Sequence, residues 1–321
     1  MTNTQEKKVI ADHLEYSPQF KKSWFAFGYW GIWILIGLLW LLKWVPWWVR
    51  SMVAWPFAWL VYAVSAKRRK IARINLQLCF PSMSSKKVTK IVRQHFYLKV
   101  RTVIDYGVLW WASAQRMNRL VRIKNPEYYQ RALATGKSVI VLTCHSFAVE
   151  YGGIRLSADY QASSVAKQLK NPLLDYFLQH GRKRAGAIIY DRSAGLKPVI
   201  KSVRRGCYLY YIPDEDHGGN HSDFADFFNV SASTLTTLGR LAKLCNAVVV
   251  PGICYYRVGK GDYVMHLLPM NDKFSEYNKL QSAEEMNKIF EQLVSLSVPQ
   301  YMWGMKLFNR RPAAEKNPYH S

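Results

Sequence analysis

Ser23 to Leu42 is a run of twenty residues with no charged side chain, and it limits what this 321-residue chain can become. Wound as one α-helix, such a run rises about 30 Å, the thickness of a bilayer's hydrocarbon core. It is too long for the apolar core of a secretory signal. Lys43-Trp44-Val45-Pro46 closes it where a small-residue cleavage site would stand. Trp44, Trp47, Trp48, Trp55 and Trp59 follow, amphipathic aromatics of the kind that gather where bilayer meets water. A second uncharged stretch, Ser51 to Ala66, is shorter and carries Pro56. It reads as a helix lying in or dipping into the interface. The expectation is an N-terminal membrane-anchoring helix within 23–66, spanning or lying flat, after a tail at 1–22.

Charge points the same way. The chain has 45 Lys and Arg against 21 Asp and Glu, a formal balance of +24. Such an excess favours a polyanionic partner: nucleic acid, anionic lipid or an acidic carrier protein. The basic residues are not interleaved with a base-reading motif, which argues against nucleic acid. Lys21 and Lys22 precede the apolar run, whereas Lys43, Arg50, Lys67-Arg68-Arg69-Lys70 and Arg73 follow it. This asymmetry favours a body on the cytoplasmic face, and the basic cluster suits anionic headgroups. Cys79, Cys144, Cys207, Cys245 and Cys254 contain no C-x-x-C pair, as expected for reduced core thiols.

The first helices are expected over 67–80 and 86–111. From Pro126 onward helical segments alternate with short β-rich runs. Helices are expected near 126–135, 147–156, 171–184, 195–205, 233–244 and 282–297. Strands are expected near 138–144, 161–166, 187–190, 207–212, 247–251 and 262–268. The alternation predicts one α/β body, 67–312, around a mixed or mostly parallel sheet, followed by a tail at 313–321. Folds of this class place their sites at the carboxyl ends of strands.

His145-Ser146-Phe147-Ala148-Val149-Glu150 occupies one such end, after the apolar run Val139–Cys144. Residues five apart do not share a helix face, so the spacing sets His145 just outside a helix with Glu150 one turn in. A carboxylate there can hold one imidazole nitrogen and leave the other to take a proton from an alcohol. Gly136-Lys137-Ser138 is not a phosphate loop, because Arg131 stands where a glycine is required and a strand follows the lysine. Arg182-Lys183-Arg184 can bind phosphate or an oxyanion, or simply complement a helix C-terminus. The polar segment from Tyr211 to Asp223 reads as a loop that shapes or closes a site. Its His217 and His221 stand four apart, but the segment is Gly-rich and loop-like, so that helical spacing would not pair them on a metal.

Several segments together resemble the bacterial lipid A late acyltransferases, whose His-x4-Asp/Glu signature is shared with the glycerolipid acyltransferases. They are Glu15–Phe20, Tyr29-Trp30-Gly31, Ile74–Pro81, His145–Glu150, Asn171–Asp175, Pro213–Gly218, Asp226-Phe227-Phe228, Thr234-Leu235, Gly239-Arg240-Leu241 and Gln300–Trp303. The branch adding the last secondary chain is the most similar.

The resemblance implies a glycerolipid-acyltransferase-like α/β fold in the bacterial inner membrane. It also implies transfer of a C12 or C14 chain from acyl carrier protein to a hydroxyl of a lipid A precursor, with no metal or organic cofactor. His145 and Glu150 would be catalytic, and Arg182 would stabilise the oxyanion. Lys183, Arg184 and Asn171 would contact substrate, with Asp214 and Asp216 orienting the loop. A lysophospholipid or glycolipid acyltransferase is the neighbouring reading. A membrane-anchored nucleic-acid-binding or lipid-binding protein is the reading from a different class.

Overall fold

A computed structural model of the chain describes residues 14–215, 221–313 and 315–320. The uncharged run does not form one helix. Short 3-10 turns at Lys22–Phe25 and Phe27–Tyr29 come first, and α1 (Trp30–Leu42) follows. Its 13 residues rise only about 20 Å, against the roughly 30 Å of a bilayer core. The break has a packing cause. Trp24 is buried against Tyr176, and Trp33 meets Phe177 edge-on, so the start of the run is drawn onto the body.

Pro46 leads into α2 (Trp47–Val64), which keeps Pro56 inside it, and α3 (Ala66–Cys79) then turns away by 89°. Among the described residues no single helix is long and apolar enough to cross a membrane; only the bent α2–α3 pair passes by length and composition together. The single anchoring helix expected within 23–66, spanning or lying flat, is thus a set of shorter helices. Their outer surface is aromatic: Trp55 is 68% exposed and Trp59 66%.

The body continues with α4 (Ser85–Ile104), α5 (Tyr106–Trp111), α6 (Ala114–Leu120), β1 (Val121–Lys124), α7 (Pro126–Ala134) and β2 (Ser138–Leu142). Next come α8 (Val149–Asp159), β3 (Ala162–Ala166), α9 (Pro172–Arg184), β4 (Ile188–Asp191), α10 (Lys197–Arg204) and β5 (Tyr208–Tyr211). A hairpin of β6 (Ser222–Phe227) and β7 (Val230–Leu235) leads to α11 (Thr237–Cys245), β8 (Ala247–Arg257), β9 (Asp262–Leu267) and α12 (Lys279–Ser295).

The main sheet runs β1-β9-β8-β2-β5-β3-β4, parallel at every junction except the antiparallel β8–β9 pair. Ile140, Leu142, Leu209 and Val249 feed one core, and Val139, Val141, Tyr208 and Val250 feed the other. Successive residues of a strand face opposite sides, so helices cover both faces of this sheet. That is the expected α/β body with a mixed sheet.

Two expected helices differ. The segment 86–111 breaks at Asp105, whose buried carboxylate accepts from Arg50 and from the Tyr263 hydroxyl at 2.8 Å and forms an ion pair with Arg101 at 2.6 Å. Three partners from different elements hold that side chain, and the chain re-enters a helix at a new angle. Gly107 then lies against α1 so closely that a Cβ would sit 1.8 Å from the Leu39 carbonyl oxygen. The segment expected to be helical from 233 is instead strand up to Leu235. Phe228 and Asn229 both take positive φ, 51° and 60°, which makes the tight two-residue turn of a hairpin.

Candidate active site

β2 and β5 are neighbours in the sheet, and the site is built where their carboxyl ends open. After Leu142 the chain leaves β2 through Thr143 and Cys144, both fully buried, and presents His145. After Tyr211 the chain leaves β5 and presents Asp214. One Asp214 oxygen lies 2.5 Å from His145 Nδ1, and the other accepts the His145 backbone N–H at 2.8 Å. The Asp214 side chain is 2% exposed and the His145 side chain 22%, so the acid is the covered member and the imidazole the accessible one. His145 Nε2 faces outward, 3.7 Å from a Glu215 oxygen.

The loop carrying His145 is pinned from a distant part of the chain. Residues 298–303 run beside it as a strap. Met302 donates its N–H to the His145 carbonyl at 2.9 Å, and Phe147 donates to the Gln300 carbonyl at 3.1 Å. The Gln300 side chain accepts from Tyr256 N–H at 2.7 Å and donates to the Tyr256 carbonyl at 2.8 Å, which ties the strap to β8. Ser146 donates to the Cys254 carbonyl, also in β8, at 2.7 Å. Behind the loop α8 packs tightly on the sheet. A Cβ at Gly152 would lie 2.8 Å from both Cys254 Cβ and Met265 Sδ.

Glu150 sits in the first turn of α8, where a carboxylate suits the helix dipole. It does not hold His145. Its two oxygens accept from Arg182 Nε at 2.9 Å and from Arg182 Nη2, a bidentate pair. The physical reason is competition. Asp214 already occupies the Nδ1 edge of the imidazole, and the guanidinium fork matches the Glu150 carboxylate in shape and charge. Arg182 is accordingly a paired cation.

The remaining candidates separate. Asn171 is spent as the N-cap of α9, its Oδ1 accepting from Leu173 and Leu174 at 3.1 Å each. Lys183 reaches the N-terminal segment, 3.2 Å from Ser17 Oγ and 3.7 Å from Glu15. Arg184 donates to the Ala112 carbonyl at 2.7 Å. Asp216 lies outside the described residues. Asp214, expected only to orient its loop, is the imidazole's partner.

The electrostatics follow from this geometry. Burial disfavours the His145 imidazolium. The Asp214 charge and hydrogen bond outweigh that, with smaller help from Glu215 and Glu150, and titration is pushed from 6.5 up to about 9. Burial, helped by the Asp214 charge, pushes the Cys144 thiol well above its ordinary value, so it stays protonated and is no nucleophile. An imidazole oriented through Nδ1 and accessible at Nε2 can take a proton from a hydroxyl and return it to a leaving group.

Residues 17–310 match the family described as bacterial lipid A biosynthesis acyltransferase. The chain is 32% identical over 308 residues to "Lipid A biosynthesis acyltransferase 2" of Shigella flexneri, covering 95% of this chain and 98% of that one. It is 30% identical to the "Lipid A biosynthesis acyltransferase" of Haemophilus influenzae over 98% of this chain and 99% of the relative. It is also 30% identical to the "Lipid A biosynthesis myristoyltransferase" of Escherichia coli K12, over 95% of each. The match runs through the His145 loop, the Asp214 loop and the 298–303 strap alike, and the chain is an acyltransferase of the bacterial lipid A biosynthesis acyltransferase family.

Proposed function

We propose that this protein transfers a fatty acyl chain of C12 or C14 from acyl carrier protein to a hydroxyl of a hydroxyacyl chain on a lipid A precursor. The observation that carries the mechanism is the His145–Asp214 pair, with Nδ1 engaged and Nε2 turned outward. Neutral His145 takes the acceptor hydroxyl proton on Nε2, and Asp214 stabilises the resulting imidazolium. The acceptor oxygen attacks the thioester carbonyl, the tetrahedral intermediate collapses, and the C–S bond breaks. The imidazolium returns its proton to the departing thiolate. The new ester and the free thiol balance the step, which needs no metal or organic cofactor. The carrier's phosphopantetheine arrives with the donor.

Glu150 and Arg182 are the nearby ion pair of this reading. Glu150 orients Arg182 through Nε and Nη2, and Nη1, which donates to Gln179 Oε1 at 3.4 Å, has a second N–H that can serve a developing oxyanion. The setting we infer is the cytoplasmic face of the inner membrane. The exposed aromatics of α1 and α2 would lie in the bilayer interface, and the basic α3 would lie against anionic headgroups.

The test is acyl transfer by the purified full chain to lipid A precursors, read by mass spectrometry, with His145→Ala alongside. The expected result is addition of one ester-linked C12 or C14 chain. The variant should lose about 10²–10⁴ in rate while still sedimenting with membranes. Transfer to lysophosphatidic acid, with none to any lipid A precursor, would overturn the acceptor assignment.

A further inference from the structure

Three cations meet where the end of α1, the α5–α6 turn and the end of α9 come together, and no part of the mechanism uses them. Lys43 is 8% exposed. Its ammonium lies 4.8 Å from the Trp40 ring centre, 4.8 Å from Trp44 and 5.9 Å from Trp111. Arg116 reaches across to donate to the Lys43 backbone carbonyl. Arg184 donates to the Ala112 carbonyl, four residues before Arg116. Both arginines keep further N–H groups unspent on these bonds. Among the described residues none of the three has a carboxylate within ion-pair distance. The closest acid in the region, Asp105, is already shared by Arg50 and Arg101.

Each of these charges is disfavoured where it stands. Burial lowers Lys43, and Arg116 and Arg184 lower it further. Burial lowers Arg116, with Arg50 adding to it and the Asp105 charge only partly opposing it, and burial lowers Arg184. Three cations, two of them repelling a Lys43 side chain that is more than nine-tenths covered, form an arrangement that an anion would stabilise. Trp40 and Trp44, which flank the Lys43 ammonium, are both exposed, which suits the depth of lipid headgroups. Arg184 and Arg182 are two residues apart on α9 and point to different sides, Arg182 to Glu150 and Arg184 to the Ala112 carbonyl, so the cluster lies on the opposite side of α9 from the Glu150–Arg182 pair.

We propose that Lys43, Arg116 and Arg184 form a binding site for a lipid phosphate where the end of α1 meets the α5–α6 turn and the end of α9. Two lipids present that chemistry, the acceptor itself and a bilayer phospholipid. Assigning it to the acceptor rests on the function proposed above, whereas assigning it to the bilayer does not. Guanidinium forks supply the hydrogen bonds and the Lys43 ammonium a point charge.

The test uses the full chain carrying Arg116→Gln with Arg184→Gln, and separately Arg184→Gln alone and Lys43→Met. The single variants guard against a folding loss from the buried arginine–carbonyl bond. Steady-state kinetics are measured with a phosphorylated lipid A precursor and with its dephosphorylated form. Binding is measured to phosphatidylcholine vesicles with and without phosphatidylglycerol.

A KM raised about tenfold by the double variant for the phosphorylated acceptor alone, with kcat within about twofold, supports the site and names the acceptor. Unchanged KM with an about tenfold loss of binding to phosphatidylglycerol vesicles alone supports the site and names the bilayer. Equal losses with both acceptors, or no change in any arm for all three variants, overturns it. If the wild-type chain transfers nothing to any lipid A precursor, the functional reading fails, and the vesicle measurement still decides the site.

Discussion

Asp214 grips His145 twice, through Nδ1 at 2.5 Å and through the backbone N–H at 2.8 Å. The two bonds fix the tautomer and the position of the imidazole together. Asp214→Asn keeps the shape but offers an amide where a carboxylate stabilised the imidazolium. The expected loss in kcat is about 10²–10⁴, with donor and acceptor KM little changed. The rising limb of the pH–rate profile should also move to lower pH, because the main influence raising His145 is gone. A variant with wild-type kcat would sink the pairing.

The pH dependence of the wild type carries its own sign. His145 acts as a base only when neutral, and its titration is pushed up to about 9. Turnover should therefore climb from pH 6.5 toward 9, not level off near the ordinary imidazole value. Stability runs the other way. A group with a raised pKa contributes stability that is complete below its unfolded value near 6.5 and is lost as pH rises through about 9. Denaturation midpoints compared between wild type and His145→Gln across that window would read this out, and a difference that grows with pH would contradict it.

Glu150 and Arg182 behave as one unit, so they are best tested as one. Each of Glu150→Ala and Arg182→Ala leaves a largely covered charge without its partner and should cost about 3 kcal/mol of stability. The double variant should cost clearly less than the sum of the two. Glu150→Gln should also leave the His145 limb of the pH profile nearer wild type than Asp214→Asn does, since Glu150 is the smallest of the charges raising it. A larger shift from Glu150→Gln would restore Glu150 as the direct partner of the base.

The part of this site that could be read from one sequence is the part that is local. His145 stands out because a polar residue at the end of an apolar run, Val139–Cys144, has few structural reasons to be there. The α/β body was equally legible, because buried parallel strands leave continuous apolar runs. Asp214 is 69 residues away, and only the order β2–β5 brings it beside His145. Adjacency of that kind comes from crossover connections that no local pattern records. Glu150 meets Arg182 and not His145 for the same reason: that ion pair joins α8 to α9 across a tertiary contact no local spacing records. The run 23–42 met its length requirement for a span, and Trp24 docking on α9 then spent its first turns elsewhere. β6 and β7 carry no clear strand pattern because Asp223, Asp226 and several Ser interrupt their apolar alternation, and only the left-handed pair Phe228-Asn229 marks the turn.

The strap at 298–303 makes a prediction that separates position from stability. Gln300 is 2% exposed and is the one side chain in the strap that bonds both the N–H and the carbonyl of Tyr256. Gln300→Leu preserves volume and leaves two buried backbone groups unpaired, a cost of about 1–3 kcal/mol each before relaxation. Gln300→Glu keeps the acceptor for the Tyr256 N–H and loses the donor. The strap's backbone bonds to His145 and Phe147 survive in both variants but lose their anchor. Displacing a catalytic base by about 1 Å can cost about 10²-fold in rate. Under conditions where the variants remain folded, kcat should therefore fall by one to two orders, about 10–10², with Gln300→Leu the worse of the two. The His145 pH limb should keep its place, because Asp214 still holds Nδ1. A kcat loss accompanied by a shifted limb would mean that the strap acts through the dyad's electrostatics. Unchanged kcat in a measurably destabilised variant would reduce Gln300 to a fold residue.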